Sequence, residues 1–115
     1  MEIVKLIQPG FSTADAEYPE IHQEDGDVVL RFSDWQEKKI EVFFSDPIAF
    51  KWQMAESFHD EERDDSCYEV LNSKWLDLHV KQGEIGVSEE YKHFKLNFNG
   101  CGQFEILSPG FSVTK

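Results

Sequence analysis

The stretch that decides the fold is Val28-Val29-Leu30-Arg31-Phe32-Ser33-Asp34-Trp35-Gln36-Glu37-Lys38-Lys39-Ile40-Glu41-Val42-Phe43-Phe44. Val28, Leu30 and Phe32 alternate with Val29, Arg31 and Ser33, and Ile40, Val42 and Phe44 alternate with Lys39, Glu41 and Phe43. A period of two on both sides of Asp34-Trp35-Gln36-Glu37 predicts two antiparallel strands joined by a short loop with Trp35 at its tip. Asp46-Pro47 breaks the second strand, because proline fixes φ and disfavours helix in the residue before it. Ile48, Phe50, Trp52 and Met54 then alternate with Ala49, Lys51 and Gln53 and predict a further strand, although Ala, Lys, Gln and Met also suit a helix.

The same logic returns near the C-terminus. Phe94, Leu96 and Phe98 alternate with His93, Lys95 and Asn97, and Phe104 and Ile106 continue on one face of a return strand. Asn99-Gly100 between them is a short-range hairpin signal, since both residues tolerate positive φ. The extra Gly102 predicts a longer loop or a bulge, and Pro109-Gly110 closes the strand. Residues 2–7 and Cys67-Tyr68-Glu69-Val70-Leu71 predict two short strands. Between residues 73 and 82 the pattern changes: Asn72 or Ser73 can cap a helix, and Trp75, Leu78 and His79 give the i, i+3, i+4 spacing of one buried face. Gly83 and Gly86 end it. Pro9-Gly10-Phe11-Ser12 recurs as Pro109-Gly110-Phe111-Ser112, but nothing between shows a period, so this is no internal repeat. The expected class is α+β: a single domain over 1–115 built from hairpins, with six or so mostly antiparallel strands in a strongly curved sheet or partial barrel, and one helix near 73–82 covering a face.

The chain of 115 residues carries 23 acids and 11 bases, a net charge of −12. Residues 14–27 hold Asp15, Glu17, Glu20, Glu24, Asp25 and Asp27 with no Lys or Arg; residues 56–65 hold Glu56, Asp60, Glu61, Glu62, Asp64 and Asp65 against Arg63. These two segments lack periodicity and read as loops, the first with room for one helical turn. The remainder is near neutral. Such a charge disfavours nucleic acid and anionic membranes as direct partners, because phosphates attract Lys and Arg. Two cysteines are too few for a disulfide scaffold, the N-terminus lacks a basic region followed by an apolar run, and no apolar run approaches the ~20 residues that span a bilayer. The expected location is the cytoplasm, with Cys67 and Cys101 reduced.

Few chemistries find their residues here. None of His22, His59, His79 and His93 stands in a zinc-ligand spacing, and His59-Asp60-Glu61 is too local to converge on one metal. Residues 60–65 lack the alternating ligands, central glycine and distal glutamate of an EF-hand loop. There is no Gly-x-Ser-x-Gly and no glycine-rich phosphate loop, and Arg31 and Arg63 are the only arginines. Asp64 and Asp65 beside Cys67 disfavour a thiolate. His93 reads as a residue of an exposed polar strand face. No catalytic residue, metal site or cofactor is expected.

The acidic segments predict a binding surface. Clustered carboxylates steer a basic partner and raise its association rate. Glu17, Glu20, Glu24, Asp25, Asp60, Glu61, Glu62, Asp64 and Asp65 would supply the charge, with Tyr18 and Trp35 as aromatic anchors. A solvated, merely solubilising role is the plain alternative. Two further readings are a small-ligand-binding barrel whose cavity is lined by the aromatic excess, and an enzyme that pairs His93 with a cleft carboxylate.

Tyr68-Glu69-Val70-Leu71-Asn72-Ser73-Lys74-Trp75-Leu76, Lys92-His93-Phe94 and Phe104-Glu105-Ile106-Leu107 together resemble small uncharacterised bacterial proteins of the polymorphic-toxin immunity type. The likeness covers roughly forty residues of the C-terminal half, and its motifs are short. It implies a non-enzymatic protein that binds a cognate toxin and occludes its active site. It carries over no functional residue: Ser73, Trp75 and His93 also read as a helix cap, a core aromatic and a hydrogen-bonding strand residue.

Overall fold

The computed structural model describes residues 1–83 and 90–115. In chain order the elements are β1 (Ile3–Ile7), β2 (Glu17–Glu24), β3 (Asp27–Ser33), β4 (Lys39–Phe44), β5 (Ala49–Gln53), β6 (Cys67–Leu71), α1 (Lys74–Lys81), β7 (Lys92–Phe98), β8 (Gly102–Ser108) and β9 (Phe111–Thr114). They form two antiparallel sheets, one of five strands ordered β1-β6-β7-β8-β5 and one of four ordered β2-β3-β4-β9. The class is α+β in a coarse sense, strand-dominated with one short helix. The sheets do not close into a barrel, so the barrel-like expectation is corrected. No helix among the described residues is long and apolar enough to cross a membrane.

The two hairpins form as the alternation predicts. Val28, Leu30 and Phe32 on β3 and Ile40, Val42 and Phe44 on β4 are all buried, in register Leu30 to Val42. Phe94, Leu96 and Phe98 on β7 face the same core with Phe104 and Ile106 on β8. Rings from opposite sheets interlock: Phe32 and Phe98 are 5.1 Å apart, Phe44 and Phe104 5.7 Å. Edge-to-face and tilted pairs of this kind add ~0.5–1.5 kcal/mol each beyond burial. Rings such as Phe32, Phe44, Phe98 and Phe104 therefore pack against one another between the sheets. Asp34 fixes the first hairpin loop, its Oδ1 accepting from Gln36 N and Lys38 N at 2.9 Å each.

Gly102 is required by close packing. It holds φ +149°, and a Cβ there would stand 2.6 Å from Gln53 O and 2.7 Å from the Trp52 ring. The glycine read as a bulge signal is the contact that lets β8 lie against β5.

Three expectations change. Residues 14–27 contain the strand β2 instead of a loop. Pro19, a positive φ of 57° at Tyr18 and a register shift between Glu17 and Glu20 hide its periodicity, and Ile21 packs against the core. Pro109-Gly110 does not end the sheet structure: the chain crosses to the four-stranded sheet as β9, whose Phe111 and Val113 pack inward. There are thus nine strands among the described residues. The helix forms with Ser73 as its cap, but Leu78 is 50% exposed and belongs to no buried face. Gly86 lies outside the described residues.

Candidate functional site

A strand alternates its side chains between two faces. On β7 and β8 the inward set is apolar; the opposite set is His93, Lys95 and Asn97 facing Gln103 and Glu105, and all five are buried. The expectation of an exposed polar face at His93 is thereby corrected. The segment between β5 and β6 crosses this outer face, and the start of α1 sits at its end. Burying so many polar groups is costly unless each is paired, and here they are.

One chain of contacts runs from the helix. Ser73 Oγ lies 2.7 Å from His93 Nδ1 and accepts from Leu76 N at 3.0 Å; His93 Nε2 lies 2.8 Å from Glu105 Oε1. An ionised Glu105 can only accept, so Nε2 carries the hydrogen; when the ring is neutral, Nδ1 is an acceptor and the Ser73 hydroxyl donates to it. Lys51 Nζ is 3.8 Å from Glu105 and 4.6 Å above the Trp75 ring. Burial opposes the Glu105 charge, but the bond from His93 and the nearby lysines outweigh it and hold the carboxyl below its ordinary value.

The second chain of contacts holds the acidic segment down. Lys95 Nζ reaches Glu62 Oε2 at 2.9 Å and Ser57 O at 2.6 Å. Asn97 Nδ2 donates to Glu62 Oε2 and Arg63 O, both at 2.7 Å. Gln103 Oε1 accepts from Ser57 N at 3.0 Å, and its Nε2 donates to Ser57 O and to Asn97 Oδ1, each at 3.1 Å. Tyr68 OH accepts from Arg63 N at 2.6 Å. His59 also faces Glu62: His59 N donates to Oε1 at 2.9 Å and the ring Nδ1 lies 3.0 Å from the same oxygen. Burial raises the Glu62 carboxyl, and these hydrogen bonds outweigh it and bring it below the ordinary range.

Glu62 thus leaves the expected anionic surface. Its side chain is fully buried and offers no charge to a partner. Asp65 is half-buried, 3.3 Å from Ser66 Oγ and 3.6 Å from Arg63 Nε. Asp60, Glu61 and Asp64 point to solvent and make no ion pair among the described residues, with Phe58 and Met54 exposed in the same segment. Glu17, Tyr18, Glu20, Glu24 and Asp25 cluster on or beside β2, all exposed. Glu20 lies opposite Arg31 and 3.3 Å from His22; Glu24 lies 3.7 Å from Arg31, which also bonds Glu41. Tyr18 is 76% and Trp35 61% exposed. Because the two sheets face each other through the core, their outer faces point apart. The β2 acids are on one outer face and the 56–65 acids on the other, so the fold does not join them into one surface.

Sequence reasoning singled out His93 as a possible partner of a carboxylate, but Lys95, Asn97, Gln103 and Glu105 escaped it. Polar residues alternating with apolar ones are the signature of a solvated face, and only the crossing segment makes this face interior. The groove beside Ser73, Lys74 and His93 has a volume of ≈ 500 Å³ and lies at the surface. Burial pushes the Cys67 thiol up to about 12. Among the described residues no group of His, Cys, Asp and Glu is arranged to hold a metal ion. Comparison with protein families, curated proteins and solved structures finds no match to this chain.

Proposed function

We propose that this is a non-enzymatic protein-binding domain that recognises a basic partner through the segment 54–65, in the manner of an immunity protein that neutralises a toxin by covering its active site. The supporting observation is the division of labour in that segment. Glu62 is turned inward onto Lys95 and Asn97, while Asp60, Glu61 and Asp64 face outward beside exposed Phe58 and Met54. A loop held in one shape loses less conformational entropy on binding, and apolar anchors ringed by charge combine affinity with electrostatic steering. The resemblance of the C-terminal half to immunity proteins agrees with this reading. The β2 cluster of Glu17, Tyr18, Glu20, Glu24 and Asp25, with Trp35 at the hairpin tip, is a separate patch that a second contact would use.

The test is affinity capture from the native host followed by kinetics on the captured protein. A basic partner should associate faster at low salt, and Asp60→Lys, Glu61→Lys and Asp64→Lys together should slow association by about 10-fold or more. Glu17→Lys, Glu20→Lys and Glu24→Lys together should have a weaker effect. An on-rate unchanged by the first set removes the proposal.

One observation favours a second reading. Ser73, His93 and Glu105 stand in the order nucleophile, base and orienting carboxylate, beside a surface groove. Against it, Ser73 is buried and its oxygen already accepts from Leu76 N. Covalent labelling of Ser73 by a fluorophosphonate would support hydrolysis; absence of labelling would end it.

A further inference from the structure

His59 has a carboxylate at each ring nitrogen. Nδ1 is 3.0 Å from Glu62 Oε1 and Nε2 is 3.1 Å from Glu2 Oε1. An ionised carboxylate only accepts, so both contacts are hydrogen bonds only when both nitrogens carry hydrogen, which is the imidazolium form. Each carboxylate is anchored elsewhere. Glu62 is held by Lys95 and Asn97 of β7, and Glu2 Oε2 accepts from Lys74 N, at 2.7 Å, on the first residue of α1. One charged ring therefore ties the segment before β6 to the chain ahead of β1 and to the start of the helix.

We propose that His59 is a proton-operated clamp on the recognition segment: the imidazolium locks residues 57–63 to Glu2, and the neutral ring releases one of the two carboxylates and loosens the segment. This rests on reading that segment as the recognition surface, and it adds regulation, with binding strongest while the ring is charged. A neutral imidazole can donate from one nitrogen only, so deprotonation removes a charge-assisted bond and leaves Glu2 and Glu62 without the cation between them.

The charged groups facing the ring are Glu62 from its own segment, Glu2 ahead of β1 and Lys95 from β7; His93 acts on Glu2 from the same strand. Burial and Lys95 disfavour the imidazolium. The hydrogen bonds to Glu2 and Glu62 outweigh them, and the ring's pKa lies above its ordinary 6.5. Glu2 and Glu62 lie below their ordinary 4.5 despite burial. The clamp is complete between these limits.

The test uses the free protein. The ¹⁵N shifts of the His59 ring, followed between pH ~5 and ~9, should show both nitrogens protonated past 6.5. Amide exchange at His59 and Glu62, corrected for intrinsic pH dependence, should accelerate about fivefold as the ring deprotonates. His59→Gln should remove the step, and Glu2→Gln, which spares the Glu62 contacts, should lower the ring's titration point. A ring titrating at or below 6.5, or an exchange step unchanged in both variants, overturns the clamp. A lysine-rich peptide as probe should bind more weakly above the ring's titration point. If ring and exchange step together while the peptide binds equally to wild type and to the Asp60→Lys, Glu61→Lys, Asp64→Lys variant, the clamp stands and the recognition reading falls.

Discussion

Lys95 Nζ and Glu62 Oε2 are 2.9 Å apart, with side chains 3% and 0% exposed, and they join β7 to a segment 33 residues earlier in the chain. A pair this deep is poor evidence of stabilisation, because desolvating two charges offsets most of their attraction. Its consequence is specificity of shape: the hydrogen bonds that Glu62 accepts from Lys95 and Asn97 fix where the acidic segment lies on β7.

Removing one partner should therefore cost more than removing both. Glu62→Gln leaves the Lys95 ammonium buried without its counter-charge and should destabilise by about 3 kcal/mol. Glu62→Leu with Lys95→Met should recover much of that loss while loosening the segment. Urea unfolding of Glu62→Leu, Lys95→Met and the double supplies the cycle. Additive losses would mean the pair is not coupled in solution.

Stability should fall on both sides of a pH window. Glu2, Glu62 and Glu105 have folded-state pKa values below the ordinary 4.5, so their contribution is present above that value and is lost as pH drops through the lowered ones. His59 is raised, so its contribution is full below 6.5 and disappears as pH climbs through the folded-state value. Thermal midpoints should be highest between about 4.5 and 6.5, decline steeply on the acid side where three carboxylates act, and decline gently on the alkaline side. His59→Gln should flatten the alkaline decline and soften the acid one in part, because Glu2 and Glu62 each lose a bond that lowers them.

The contrast between Val28–Phe44 and Glu17–Glu24 shows where sequence reading reaches. The first hairpin is legible because each strand separates apolar from polar side chains over several residues, and the Asp34 loop carries its own turn chemistry. In β2 only Ile21 marks an inward face, while Pro19 and a shifted register interrupt the count. The site was harder still. Glu62 has the same chemistry as Asp60, Glu61 and Asp64 beside it, and what separates it is contact with Lys95 and Asn97, far along the chain. Exposure of Tyr18 and Trp35 was legible from their surroundings; that the two acidic segments occupy opposite outer faces depends on strand order, which local patterns do not encode.

Gly102→Ala should destabilise by about 3 kcal/mol. The new methyl would meet Gln53 O and the Trp52 ring at distances no relaxation of side chains alone relieves, since one is backbone, and the φ of +149° disfavours an L side chain besides. Gly100→Ala tests the geometry by contrast. A Cβ there meets nothing within 4 Å, so the cost should be only the ~1 kcal/mol of placing alanine at positive φ. Equal losses at the two sites, measured by chemical unfolding, would contradict the packing of β8 on β5.

Ser73→Ala separates a supporting role from a reactive one. The hydroxyl caps α1 and donates to His93, so its loss should remove about 1 kcal/mol of capping and a similar amount for leaving buried Nδ1 unpaired. Ser73→Thr keeps the hydroxyl and should restore most of this. Because Nδ1 would have no donor, the His93 ring would be freer to change tautomer, visible in its nitrogen shifts. If the hydroxyl served only chemistry, alanine would leave both the unfolding midpoint and those shifts where they are in the wild type.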